Sequence, residues 1–224
     1  RNTTHVPITL VHSTLSSAAQ SASTMKVLWL EQTVNFHLEG NSEKFQQLAN
    51  DLVAKKNNKK LFELRSQYLL KNNPDLQQIV WLDASAKVLD LLPAQKLPRL
   101  GAEVRENPMQ AALQARSIEM ARKLGKPVYS NVYRTSDTSQ FEVFFPVFEN
   151  RQYRGSLVSV YSLNKLLKQL VPWWFSEKYQ VQILDANGIS LASNSKISNA
   201  ATTINYYIPF DPPGFGTVLQ VTAY

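Results

Sequence analysis

Two eight-residue stretches of this 224-residue chain read almost alike: LDASAKVL at residues 82–89 and LDANGISL at residues 184–191. Each follows an apolar run, LQQIVW and YQVQI, and each sets a small-residue turn between hydrophobic stretches. That is the pattern of a β-hairpin, and its recurrence points to two related modules in one chain. Asp83 and Asp185 hold the same place in the two copies. They could be imagined as a pair of catalytic carboxylates, but a carboxylate at a strand end commonly caps the N–H groups of the turn that follows. The repeat favours capping. Asn187-Gly188 suits a tight turn better than Ser85-Ala86, so the second hairpin is expected to be the more sharply defined.

The remaining pattern assigns elements around this pair. Residues 14–55 are helical, with a mixed stripe of Met25, Leu28, Trp29, Gln32, Phe36 and Glu39 that Leu48, Leu52 and Lys55 continue. Gly40-Asn41-Ser42 is a candidate interruption. Such length suits a stalk or dimerising helix better than a core helix. KKNNKK, at 55–60, reads as a solvated helix end, and a second helix over 60–71 carries Leu61, Leu64, Tyr68 and Leu69 on one side. After the first hairpin a crossover holds a helix over 107–123, with Pro108 in its first turn and Gly125 at its end. PVYSNVYR (127–134), FEVFFPVF (141–148) and YRGSLVSVYS (153–162) form an antiparallel meander. A helix from Leu163 to about Lys178 leads to four more strand candidates, YQVQILD, ISLAS, INYYIPF and GTVLQVTAY. The class is α+β: a long N-terminal helix followed by two antiparallel-sheet modules, the second reduced. The expected division is residues 1–72 for the helical stalk and second helix, 73–165 for the distal module, and 166–224 for the connecting helix and small proximal module.

Catalytic chemistry is hard to find. No cysteine exists, which excludes disulfides, thiol nucleophiles and cysteine-ligated metals. His5, His12 and His37 match no zinc spacing and read as exposed helix or lead-in residues. There is no G-x-S-x-G elbow and no Walker-type loop. No apolar run is long enough for a transmembrane helix. A net charge of +7, from 24 basic and 17 acidic side chains, permits nucleic acid, an anionic surface or an acidic ligand and selects none. Tyr129, Tyr133, Phe144, Phe145 and Phe148 could stack on bases, yet aromatic strands are more often core. In FEVFFPVF, Phe141, Val143, Phe145 and Val147 form one face; Glu142, Phe144, Pro146 and Phe148 form the other. One face packs under helices, and the other is free to line a ligand site or meet the long helix. Roofed by residues 93–125, such a site would draw polar groups from Tyr129, Asn131, Tyr133, Arg134 and Asp137, with Arg105 and Arg116 on the roof able to hold a carboxylate.

The long helix, the strand-turn-strand at IVWLDASAKVLDL, the stretches GKPVYSNVY and FFPVFENRQYRGSLVSVYSLNKLL, and the second opening at YQVQILDANGISLAS carry a family resemblance over residues 14–224. The chain resembles the extracytoplasmic double-PAS, or double-Cache, sensor regions of bacterial transmembrane receptors. Most of these are histidine kinases; others are diguanylate cyclases or chemoreceptors. The resemblance implies a domain outside the inner membrane, facing the periplasm or the extracellular side, not itself an enzyme, needing no cofactor and binding no nucleic acid. It implies a homodimer through the N-terminal helix and a small ligand, such as an organic acid, in the distal module. Arg105, Arg116, Tyr129, Asn131, Tyr133, Arg134, Phe144 and Ser159 are the expected ligand-binding residues. The tyrosine, arginine, tryptophan and aspartate set of the family's amino-acid binders is not matched as a whole. The proximal module, too short for a roof, would relay movement mechanically. The alternative is a periplasmic protein-interaction module without a small-molecule ligand.

Overall fold

The computed structural model describes residues 17–56, 58–94, 108–135, 138–194, 202–208, 210 and 216–224. Helix α1 (Ser17–Ala54) runs 38 residues, about 57 Å at the α-helical rise, without a break at Gly40. It buries Val27, Leu30, Val34, Leu38, Phe45, Leu48 and Leu52 and leaves Met25, Leu28, Trp29 and Phe36 exposed. At 100° per residue these two sets lie on opposite sides of the helix. The expected single stripe is therefore two: Leu48 and Leu52 belong to the buried side, and the Met25–Phe36 series faces outward. Helix α2 (Lys59–Asn72) is capped by Asn58, whose side chain accepts from Leu61 N–H. It buries Phe62, Ser66 and Leu69, whereas Leu64 and Tyr68 are exposed. The Phe62 ring lies 5.5 Å from that of Trp81.

The distal sheet contains β1 (Leu76–Asp83), β2 (Val88–Leu92), β3 (Val128–Tyr129), β4 (Tyr133–Arg134), β5 (Ser139–Glu149) and β6 (Gln152–Ser162), in the order β2-β1-β6-β5-β3, with β4 also on β5. All its pairings are antiparallel. Helix α3 (Pro108–Leu124) lies in the crossover between β2 and β3. The expected continuous strand over 127–134 is split. Ser130 N–H still donates to the Glu142 carbonyl (2.8 Å), but the Ser130 hydroxyl accepts from Glu142 N–H (2.8 Å), so a side chain takes over the ladder there. Helix α4 (Leu163–Leu170) and the short α5 (Trp173–Ser176) replace the single expected connecting helix. Pro172, which disfavours helical backbone in the residue before it, separates them. The proximal sheet, β7 (Tyr179–Leu184), β8 (Ser190–Ser193), β9 (Thr202–Tyr207) and β10 (Val218–Ala223), has the order β8-β7-β10-β9.

The two sheets share one core. A continuous apolar cluster runs from Val27 and Phe45 on α1, through Phe141 and Phe145 on β5, to Val181, Phe210 and Val221 of the proximal module. Phe210 stacks on Tyr129 (5.1 Å) and packs against Phe141 (4.5 Å) of the distal sheet. Arg134 donates to the Ser190 carbonyl across the same junction (2.6 Å). Helix α1 touches both ends: Phe45 stacks on Phe145 at 5.0 Å, and Trp29 lies 5.5 Å from Trp174.

The repeat is structural as well as textual. The Asp83 carboxylate accepts from Ser85 and Lys87 N–H (2.8 and 2.9 Å), and Asp185 accepts from Asn187 and Ile189 N–H (both 2.8 Å). Both hairpins shift register at the same place, Trp81/Leu82 and Ile183/Leu184. The two turns carry the same hydrogen bonds and differ in the residue at the positive-φ position, Ala86 in the first and Gly188 in the second.

Candidate functional site

The period-two geometry of β5 gives the distal sheet two unlike faces. Phe141, Val143, Phe145 and Val147 point into the core shared with α1. On the other face Phe144 packs with Val80, Leu82, Ala121, Val128 and Val158, with Ile118 and Met120 of α3 against them. That apolar half anchors the roof helix. Further along the same face the lining becomes polar. Gln78, Gln114, Gln140 and Glu142 are all buried, Glu142 completely at 0% exposure.

Glu142 centres this polar half. Gln114 Nε2 of α3 donates to both its carboxylate oxygens, at 2.9 Å to Oε1 and 3.2 Å to Oε2, and the Tyr133 hydroxyl donates to Oε1 at 3.2 Å. Burial pushes the Glu142 carboxyl up to about 7, against the opposing effect of the Tyr133 and Gln114 hydrogen bonds. The Gln78 amide reaches the Pro93 carbonyl at 3.4 Å. Asn131, in the break between β3 and β4, has a buried Oδ1 with no hydrogen-bond partner among the described residues. Roof helix, sheet and strand break thus converge on a carboxylate removed from water, a combination found at functional sites. Among the described residues no cluster of His, Asp and Glu is arranged to hold a metal.

Of the residues expected from sequence, the structure brings Tyr133 and Phe144 to this roof-side face, with Asn131 in the adjoining break. Tyr129 and Ser159 lie on the opposite face. They pair with Val143 in neighbouring strands and share its orientation toward α1. The Tyr129 ring is taken up by Phe141 and Phe210, and Ser159 Oγ approaches the Val143 carbonyl at 3.5 Å. Arg116 is exposed: the inward side of α3 carries Gln114 and Ala121, and position 116 lies on the far side of the helix from Gln114. Arg134 points to the proximal module, one residue along from Tyr133 and so on the other face. Arg105 and Asp137 lie outside the described residues. Sequence reasoning missed Gln114, Gln78 and Gln140 and left Glu142 without a role. The signal for Glu142 was present: an acid in a strand whose two faces are otherwise almost wholly apolar.

His37 is not the exposed residue its position suggested. Its ring donates to Asp75 through Nε2 (2.7 Å), with side-chain exposures of 13% and 0%. The contact ties the middle of α1 to the start of the distal sheet. Asp75 also accepts from Ser162 N–H through its backbone carbonyl (2.9 Å), so this cluster serves the junction of α1, β1 and β6.

The long helix followed by two antiparallel modules is the double-Cache fold, the fold of solved ligand-binding domains of bacterial chemoreceptors. The chemoreceptor CtaA of Pseudomonas fluorescens, solved with L-serine, superposes with a TM-score of 0.63 at 12% identity, over 92% of this chain and 98% of that one. The amino-acid chemoreceptor PctC of Pseudomonas aeruginosa, solved with GABA, gives 0.59 at 12% identity, over 93% and 100%. In sequence the chain is similar to the C4-dicarboxylate transport sensor protein DctS of Rhodobacter capsulatus, 29% identical over 97% of this chain. It spans only 31% of that relative's length. No protein-family model matches the chain.

Proposed function

We propose that this chain is the extracytoplasmic ligand-sensing domain of a bacterial transmembrane receptor, a histidine kinase first among the alternatives, with a small molecule held between α3 and the distal sheet. The observation that carries the reading is the buried Glu142–Gln114–Tyr133 cluster. Burying an acid at 0% exposure beneath a helix, with the neutral Gln114 and Tyr133 as its donors, costs stability that a ligand-holding role accounts for. The fold of the amino-acid chemoreceptors and the sequence similarity to a dicarboxylate sensor support the same class of function. An organic acid remains a candidate ligand on the strength of that relative. The described arginines lend it little: Arg116 is exposed and Arg134 is engaged with Ser190.

Ligand would favour one arrangement of roof and sheet, and the receptor's response is limited to the ligand's differential affinity for the two arrangements. Helix α1 is the element that could pass the shift on, since it packs on both modules. Its exposed Met25, Leu28, Trp29 and Phe36 suit a second copy of the chain, which would make the sensor a dimer. Sedimentation should then show self-association that Phe36→Glu weakens; a strictly monomeric wild type at high concentration would leave the stripe to a different protein and favour an interaction module. For ligand sensing itself, thermal-shift titration with organic acids, amino acids and small amines should find at least one stabilising compound. No shift across such a panel would overturn the reading.

A further inference from the structure

We propose that β4 is a mechanical link between the distal site and the proximal module, with Arg134 a positioning residue that sets Tyr133 against Glu142 by gripping the edge of the proximal hairpin. This rests on the sensing reading above and adds to α1 a second, shorter route between the two modules.

Strand β4 consists of Tyr133 and Arg134 alone and pairs with Gln140 and Ser139 of β5. Consecutive strand residues point to opposite faces of a sheet. Here the two faces lead to two modules. The Tyr133 hydroxyl donates to Glu142 Oε1 on the roof side (3.2 Å). Arg134 Nη2 donates to the carbonyl of Ser190, the first residue of β8 (2.6 Å). One planar peptide unit joins the two residues, so a shift of Tyr133 relative to Glu142 is also a shift of Arg134 relative to Ser190.

The surroundings set β4 apart as a unit. The ladder is interrupted between β3 and β4, where the Ser130 hydroxyl accepts from Glu142 N–H, so β4 need not move with β3. On its other side it runs into a turn, closed by Thr135 N–H on the Thr138 carbonyl (2.8 Å). The receiving end is equally well defined. Strand β8 lies at the end of the proximal sheet order, and its turn is held by Asp185 N–H on the Ile189 carbonyl (2.9 Å), one residue before Ser190. The Phe210–Tyr129–Phe141 rings fasten the modules together, but they lie on the face away from Glu142. Gln114 touches the Glu142 carboxylate from α3, within the distal module. Arg134 is exposed, so its hydrogen bond adds little to stability; its effect is on orientation. Coupling of this kind is reciprocal. Whatever strengthens the Tyr133–Glu142 contact tightens the hold on Ser190 by the same free energy.

The test needs no ligand, because Glu142 reports on Tyr133. Burial holds its carboxyl up at about 7, and the Tyr133 hydrogen bond opposes that rise. The Glu142 carboxyl is titrated by NMR in the isotope-labelled 224-residue chain from about pH 5 to about pH 9. Tyr133→Phe should raise the midpoint. Arg134→Ala should raise it too, and the double variant should go no higher than Tyr133→Phe alone. A purely electrostatic effect of the lost guanidinium would instead add to that of Tyr133→Phe and fade with salt. Hydrogen exchange gives the reverse arm. Tyr133→Phe should speed exchange in β8 and its turn by about threefold, whereas Gln114→Ala, which removes a donor from α3 and not from β4, should leave those amides as in the wild type. Additive midpoint shifts, or β8 exchange indifferent to Tyr133→Phe, would overturn the link. Either result leaves the sensing reading to the thermal-shift panel, so the two fail separately.

Discussion

Single residues decide how closely the two hairpins match. Ala86 and Gly188 occupy the same turn position with φ of 62° and 79°. A side chain is strained in that region and glycine is not. Ala86→Gly should therefore stabilise the protein by about 1 kcal/mol, and Gly188→Ala, where a Cβ would have nothing within 4 Å, should cost about the same from backbone strain alone. Urea denaturation of the pair checks both signs. Glu142 carries a different signature. Its folded-state carboxyl is held up at about 7, above the ordinary carboxylate range, so the native state binds the proton more tightly than the unfolded chain does. The associated stability is present below about pH 4 and is lost as pH rises toward about 7, amounting to about 3 kcal/mol. Glu142→Gln should flatten that part of the stability–pH curve relative to wild type, read from urea midpoints across the range.

At the scale of elements, α1 shows why length and periodicity were legible and orientation was not. The 38-residue helix and its apolar spacing follow from the order of residues. Two apolar series, Met25–Phe36 and Val27–Leu52, are both present, and only packing against β5 and the proximal module decides which is buried. Phe45→Ala should cost about 3 to 5 kcal/mol by opening a cavity beside Phe145, whereas Phe36→Ser should leave thermal unfolding of the monomer nearly unchanged because Phe36 is 73% exposed. Thermal melts at low concentration compare the two. The break between β3 and β4 was invisible for a related reason. PVYSNVYR has good strand chemistry, and it is the Ser130 hydroxyl's reach to Glu142 N–H that interrupts the ladder. The same break puts Tyr129 and Tyr133 on opposite faces of the sheet, so two tyrosines that look equivalent in sequence do different work.

For the whole molecule the decisive feature is the shared core. Phe210 of the proximal module fills space between Tyr129 and Phe141, and Arg134 binds the Ser190 carbonyl one residue away from the tyrosine that touches Glu142. The two modules should consequently unfold together. Phe210→Ala should cost about 3 to 5 kcal/mol at the junction and broaden or split the transition in scanning calorimetry; a single unshifted transition would mean the junction contributes little to cooperativity. Sequence by itself determined the repeat, the two-module α+β class, the capping aspartates and the extents of α1, α2 and α3, because turn chemistry, strand period and helical spacing are local properties. Tertiary structure alone decided which side of α1 is buried, that Arg116, Tyr129 and Ser159 turn away from the roof-side face, and that Gln114 and Glu142 meet beneath the roof. Those outcomes depend on which faces are pressed together, Gln114 and Glu142 for example from 28 positions apart in the chain, a choice made by packing and desolvation of the whole fold.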